Sequence, residues 1–473
     1  MNVVILGGGI TGLAAAHALI AEHTTGDAPP TQVTLVEATS RWGGTVHTLR
    51  VDGFLVEAGP DAFLLHRPEA LALCREVGLG DRVVGVPPQH RRAYVVRRGH
   101  LMPLPEGLFL AVPTRLRPLM ATPLLSWRGK VRMALDVLIP PRRANGDESV
   151  AHFVRRRLGE EALRWLAGPL MAGIHAADPE HLSLLATFPQ LADLERRHGS
   201  LIRGALASRR QAGARRRGPG SSPFATLAGG LGELIGALVA RLEAAPTCRL
   251  LLGRPAQAVL RADSGYRVVL ANGEILSADA VIAATPAHVT ARLVADMAPE
   301  LACALERIRY TSSAVISLAF RQEELPPLPA GSGFLVPREE GLTMTGCTWS
   351  SNKFPGRAPE GFVLWRAFAG GDGRPALPED DHLVAQVVNE LRALLGPLPR
   401  PHLALVHRWT RARPLYDVGH LDLVARIEAL CPPRFLVAGS AYRGGGLPAC
   451  IRAGTHAAER ALAGRAHPQE EIL

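Results

Sequence analysis

Three glycines, Gly7, Gly9 and Gly12, follow the strand-like run Asn2-Val-Val-Ile-Leu6 and open the apolar stretch beginning at Leu13. A short continuous apolar run suits a parallel strand covered on both faces. In a G-x-G-x-x-G turn the first glycine permits the tight bend, the second lets a pyrophosphate approach the backbone, and the third lets helix and strand pack closely. The helix starting there offers about half a unit of positive charge at its N-terminus. Gly7, Gly9, Ile10 and Gly12 are therefore candidate pyrophosphate residues. Leu13 to Glu22 reads as that helix, residues Gly26, Pro29 and Pro30 mark a loop, and Val33 to Val36 reads as a second strand ending at Glu37. A carboxylate there accepts from ribose hydroxyls and repels a ribose phosphate, which selects FAD or NAD over NADP.

The rest of the composition bounds the problem. At 473 residues the length suggests about three structural units. With 47% hydrophobic and 20% charged residues, intrinsic disorder is excluded for most of the chain. The net charge of +10 is almost all arginine, because Lys130 and Lys353 are the only lysines, and lysine-based covalent mechanisms are disfavoured. Aromatic residues are 5%, with no stacking platform or zinc finger, so no nucleic-acid partner is expected. Six scattered cysteines without a CxxC pair suit reduced thiols in the cytoplasm. Met1 to Ile20 lacks the basic start of a secretory signal, and no apolar run of ~18 residues reads as a spanning helix.

The pattern predicts an α/β fold whose Rossmann-like cofactor unit is assembled from residues 1–66, 220–290 and 405–473. A largely helical part, 67–219, and an α+β substrate part, 291–404, are inserted. Helical patterns are expected over Pro68 to Val77 and Ser149 to Ala172, and an arginine-rich mobile loop over Gly204 to Ser222. Asn272-Gly273 is the best hairpin turn. Ala278 to Ala284 and Arg434 to Ala438 read as buried strands, the second leading through a glycine cluster into a helix ending near Leu462.

Two further segments decide between the cofactors. Glu37-Ala-Thr-Ser-Arg41-Trp-Gly43-Gly44, followed by Glu57-Ala-Gly59-Pro60, resembles signatures of the FAD-dependent amine oxidase, desaturase and protoporphyrinogen oxidase superfamily. Val437-Ala-Gly439 through Gly446-Leu447-Pro-Ala-Cys450-Ile451 resembles the C-terminal flavin segment of the porphyrinogen oxidases. So do Pro169 to Asp178, Leu182-Ser183, Ala186 to Pro189, Gly331 to Pro337 and Pro414 to His420, so the likeness covers nearly the whole chain. Ala449 stands where that family usually has an acid, and Asp61 where asparagine is frequent.

The resemblance implies FAD as cofactor and stepwise six-electron oxidation of protoporphyrinogen IX or coproporphyrinogen III, with oxygen as acceptor and hydrogen peroxide as product. It implies that Glu37 binds ribose, that Arg41, Gly43, Gly44, Thr45 and Val46 form the flavin approach, and that Ala256 offers its backbone to adenine. Gly59, Pro60, Gly445, Gly446 and Leu447 would line the isoalloxazine, with Trp409 near it. Gly173, Leu335 and Met344 would face the substrate, and Arg92, Arg97 and Arg98 are candidate partners for its propionates. Asp61 is the candidate for orienting pyrrole NH groups. His175 and His420 lack a second ligand at helical or turn spacing, so no metal is expected.

Pro113 to Pro141 mixes leucine, tryptophan and valine with Arg115, Arg117, Arg128, Lys130 and Arg132, which suits either a peripheral membrane interface or a cap over the substrate cavity. A homodimer is left open. The competing classes are a flavin amine oxidase, a carotenoid-type desaturase and a non-redox nucleotide-binding module. Amine oxidases typically carry a lysine in the region comparable to Tyr310 to Ala319, and this chain has none there.

Overall fold

In the computed structural model the described residues are 1–21, 30–109, 112–142, 146–215 and 222–463. Glu22, Gly26 and Pro29 of the expected first crossover lie outside them. Strand β1 (Asn2–Leu6) leads through the glycine turn into helix α1 (Ile10–Ala21), and strand β2 (Gln32–Glu37) returns parallel beside β1. The complete sheet is parallel, in the order Cys248–Leu252, β2, β1, Ala280–Ala283, Phe435–Val437. Its apolar strands are explained by burial on both sides. Val3 and Ile5 enter a core under α1, Gly232–Glu243 and Leu447–Ala463, whereas Val4 and Leu6 enter a second core under Ala287–Leu293, Pro299–Glu306 and the hairpin sheet 256–278. Asn272-Gly273 turns that hairpin, with Gly273 at φ +86°. The expected strand Ala278 to Ala284 divides at Asp279: Ile275–Ala278 belongs to the hairpin sheet and Ala280–Ala283 to the parallel one.

A second, seven-stranded sheet runs in the order Leu403–Pro414, Tyr310–Arg321, Phe362–Gly370, Met344–Trp349, Gly333–Leu335, Ala93–Arg97, His100–Pro103. It therefore draws on residues on both sides of the expected 291–404 insertion: the hairpin 93–103 from the helical part and Leu403–Pro414 from the C-terminal cofactor stretch. Alternation along its strands separates two cores. Tyr94, Val96 and Phe334 pack under helix Asp380–Leu395, while Val95 and Leu335 face the helical layer.

That layer refines the expectation in one place and departs from it in another. The stretch Ser149 to Ala172 is interrupted: Gly159, at φ +93°, ends Val150–Leu158, and the chain resumes through a wide π turn, Leu163–Ala167, into Gly168–His175. Pro169 has no N–H to close a normal α turn there, and the widened turn accommodates that loss. Gly204 to Arg215 is not a loop but part of helix Leu201–Arg215, because Leu201, Ile202 and Ala205 bury one face against the layer and arginine is a good helix former. Arg216 and Arg217 lie outside the described residues.

Candidate functional site

The glycine turn after β1 is a place where only backbone fits. A Cβ on Gly12 would lie 1.9 Å from the carbonyl oxygen of Gly7, and one on Gly7, at φ +106°, would lie 2.8 Å from that of Ala284. The segment from Arg41 to Val46 lies on this turn. Gly43 pairs with Gly9, its N–H donates to the Gly8 carbonyl at 2.8 Å, and a Cβ on Gly44 would come within 3.1 Å of the Gly9 Cα. Arg41 braces the loop from inside, donating to the carbonyls of Trp42, Gly44 and Val46, and burial pushes its guanidinium below the usual range. Ile10 and Val46 are buried beneath, while Thr45 is exposed.

Glu37 closes β2 with 9% exposure. One carboxylate oxygen accepts from the Gly8 N–H at 2.7 Å, the other from the N–H and hydroxyl of Thr39 at 2.8 and 2.7 Å. Each oxygen keeps acceptor capacity, since a carboxylate offers about four lone-pair sites. The N–H groups of Gly253 and Arg254 donate to the carbonyls of Thr39 and Glu37, which brings Ala256 beside the end of β2. Two helix starts, at Ile10 and Leu447, follow glycine turns, and Gly445 and Gly446 remain exposed before the second. Gly446 has φ +88° and nothing within 4 Å of where a Cβ would sit. Leu447 itself is buried. Helix Leu447–Ala463 crosses α1 at backbone contact, because a Cβ on Gly454 would lie 2.2 Å from the Thr11 carbonyl oxygen. Glycine turns at two helix starts, with the Glu37 carboxylate beside the first, fit the pyrophosphate and sugar of FAD.

Ala58 to Asp61 joins this surface to the second sheet. Trp409 donates from Nε1 to the Ala58 carbonyl at 2.8 Å, Arg366 donates to that of Gly59, and a Cβ on Gly59 would lie 1.8 Å from the Thr45 oxygen. Trp409 is thus half-buried against this segment rather than a core tryptophan. Pro60 is half-buried beside it. Asp61 receives Lys353 Nζ on both oxygens, at 3.0 and 2.9 Å, and Arg366 Nη1 at 3.3 Å. Burial pushes the Asp61 carboxyl up, but Lys353 and Arg366 more than offset it and hold the group below the ordinary carboxylate range. Both cations escaped sequence reasoning. The signal for Lys353 was its rarity as one of two lysines.

On the other side, Gly173 is exposed on helix Gly168–His175, and a Cβ there would come within 2.9 Å of Leu335 Cδ2. Ile174 beside it is 50% exposed. Phe368 is half-buried, belongs to none of the apolar cores, and stands two residues from Arg366 on the same strand face, with that guanidinium 5.2 Å from its ring centre. It is a site-facing residue that the sequence did not single out. Met344 is not one: it is fully buried in the core under Asp380–Leu395. A bulge between Met344 and Gly346 shifts the register there, and Gly346 is itself buried against the backbone of Phe334 and Leu335.

The three proposed propionate arginines separate. Arg97 donates to the Pro123 carbonyl and lies 5.0 Å from the Trp165 ring centre. Arg98, at φ +54°, forms the hairpin turn, its backbone N–H donating to Glu340 at 2.7 Å. Arg92 is exposed and lines a cleft with Pro88, Arg91, Leu104 and Glu106.

Comparison with known proteins places this geometry. A family profile for flavin containing amine oxidoreductases matches residues 10–462. Coproporphyrinogen III oxidase of Propionibacterium freudenreichii subsp. freudenreichii is 39% identical, covering 98% of this chain and 90% of the relative. The Bacillus subtilis (strain 168) protein of the same name is 34% identical over 98% of both. A solved structure from Exiguobacterium sp. 255-15, provisionally named protoporphyrinogen oxidase, shares 32% identity and a TM-score of 0.84, covering 98% of this chain and 99% of that one. Glycine turns at both ends of the chain, the carboxylate of Glu37 and a match spanning almost every described element lead to one assignment: the chain belongs to the flavin containing amine oxidoreductase family and is an FAD-dependent oxidoreductase.

Proposed function

We propose that this enzyme oxidises a porphyrinogen, coproporphyrinogen III in preference to protoporphyrinogen IX, to the corresponding porphyrin of heme biosynthesis. The observation that carries this reading is the full-length likeness, 31–39% identical, to three relatives named coproporphyrinogen III oxidase. Bound FAD supplies the two-electron redox chemistry. The protein's own contribution is to bind and orient. Gly7, Gly9, Ile10 and Gly12 hold the pyrophosphate, Glu37 the ribose and the Ala256 backbone the adenine. Arg41 to Val46, Gly59, Pro60, Trp409 and Gly445 to Leu447 line the flavin's bed. Gly173, Leu335 and Phe368 form the apolar wall against which the macrocycle lies, with Arg92 at the cleft beyond. Because aromatisation supplies much of the driving force, placing the reacting carbon is the principal task. Asp61, ion-paired on both oxygens, positions Lys353 and Arg366 and thereby the Gly59 carbonyl, rather than serving as a general base.

The overall reaction consumes three oxygen molecules and releases three hydrogen peroxides per porphyrin, six hydrogens leaving the macrocycle. Incubating the FAD-loaded chain with each porphyrinogen in air gives Soret absorbance well above the spontaneous rate. Porphyrin at the spontaneous rate alone would overturn the proposal, and peroxide release with polyamines instead would favour amine oxidation.

The location is proposed to be the cytoplasm, at the inner face of the membrane. Among the described residues no helix is long and apolar enough to cross a bilayer. Trp127, Val131, Leu135 and Leu138 nevertheless fall on one outward face of Trp127–Ala134 and the turn that follows it, 67, 44, 42 and 73% exposed, with Arg128 exposed alongside. Side chains turned outward do not cap a cavity; they suit an interfacial helix. Trp127→Asp is expected to reduce flotation with anionic liposomes, and unchanged flotation would refute the contact.

A further inference from the structure

Arg413, at the end of strand Leu403–Pro414, differs from the arginines around it. Arg309 pairs with Asp372 and Asp417, Arg338 with Asp178, Arg366 with Asp61 and Arg443 with Glu428. Among the described residues no such carboxylate meets Arg413, whose Nη1 donates instead to the Ile174 carbonyl at 3.0 Å. A guanidinium has five N–H donors in a planar fork matched to a carboxylate, and one carbonyl leaves most of that fork unused. Arg413 is exposed, so the unused part of its fork is open to a ligand.

Its surroundings place that open fork beside the candidate site. Ile174 follows Gly173, the exposed glycine opposite Leu335. Tyr416, three residues beyond Arg413, donates to the Ser440 carbonyl, and a Cβ on Gly445 would lie 3.6 Å from its hydroxyl oxygen. Arg413 thus touches the substrate-side helix, while Tyr416 on the same segment approaches the C-terminal glycine turn. His175, next to Ile174, is pushed down to about 4 by burial and by Arg413, so it is neutral near pH 7 and adds no competing charge.

We propose that Arg413 is a specificity-determining residue that receives one carboxylate of the substrate, at a ring position where coproporphyrinogen III carries a propionate and protoporphyrinogen IX a vinyl group. This rests on the porphyrinogen reading given above. The test uses the FAD-loaded full chain and its Arg413→Met and Arg413→Lys variants. Product porphyrins are titrated onto each by Soret shift, and both porphyrinogens are compared in steady state. Arg413→Met is expected to weaken coproporphyrin III binding by roughly tenfold or more, the range of a lost charge-assisted hydrogen bond. KM for coproporphyrinogen III rises in step while kcat and FAD retention hold, protoporphyrin IX responds less, and Arg413→Lys recovers part of the loss. Equal weakening of both porphyrins, or a fall in kcat with binding intact, would overturn the assignment. If the unaltered enzyme oxidises neither porphyrinogen, the functional reading fails on its own, while the two titrations still decide whether Arg413 distinguishes the carboxylates.

Discussion

The cofactor surface and the helical layer are held together in opposite ways. Around the cofactor surface the closest approaches are backbone on backbone: Gly44 against Gly9, Gly59 against Thr45, Gly454 against Thr11. In the helical layer a fully buried ion pair does the joining. Arg157 and Asp136, both 0% exposed, meet at 2.7 Å, Asp136 also accepts from the Ser200 hydroxyl at 2.6 Å and the Ile202 N–H at 3.0 Å, and Arg157 donates to the carbonyls of Ile139 and Gly199. The first arrangement tolerates no added atom. The second tolerates no lost charge, because a buried ion left without its partner keeps its desolvation cost.

The strongest way to break this contrast is Gly59→Val. With the new Cβ directed at 1.8 Å from a backbone oxygen, the segment must shift, and the purified variant is expected to retain no flavin absorbance. Full retention would show that the close approach is dispensable. Next comes Arg157→Met, expected to cost about 3–5 kcal/mol in urea unfolding while flavin binding survives. Recovery in the double variant with Asp136→Leu would sharpen the point, since a matched apolar pair can replace a buried ionic one. The smallest effect belongs to Asp61, which sits where the two regimes meet. Its pKa is lowered on folding, so its contribution to stability is present above the ordinary carboxylate range and is lost as pH falls through the lowered value. Asp61→Asn should flatten that acid limb of the unfolding profile; an unchanged limb would mean that Lys353 and Arg366 do not depend on it.

The same contrast explains what the sequence disclosed. Gly7, Gly12, Gly43, Gly44 and Gly59 were legible because a close backbone approach favours glycine at a fixed place, leaving a mark that needs no knowledge of the rest of the chain. The parallel sheet was legible for a related reason, as Val3 to Leu6 must be apolar on both faces. Side-chain sites leave no such mark. Met344 turns into the core beside a bulge, which no periodicity reveals. Lys353 and Arg366 become partners of Asp61 only through tertiary contacts between segments about 300 positions apart. Arg97 and Arg98 look like Arg92 in sequence, yet one lies against a tryptophan and the other forms a hairpin turn.

The meeting of Thr11 and Gly454 also has a consequence in time. The first helix leaves the ribosome long before its neighbour exists, and at roughly 5–20 residues per second the wait is on the order of tens of seconds. Throughout that interval the flank of α1 that later receives Gly454 lies bare, an apolar stripe that nascent-chain chaperones would have to shield until translation delivers its lid.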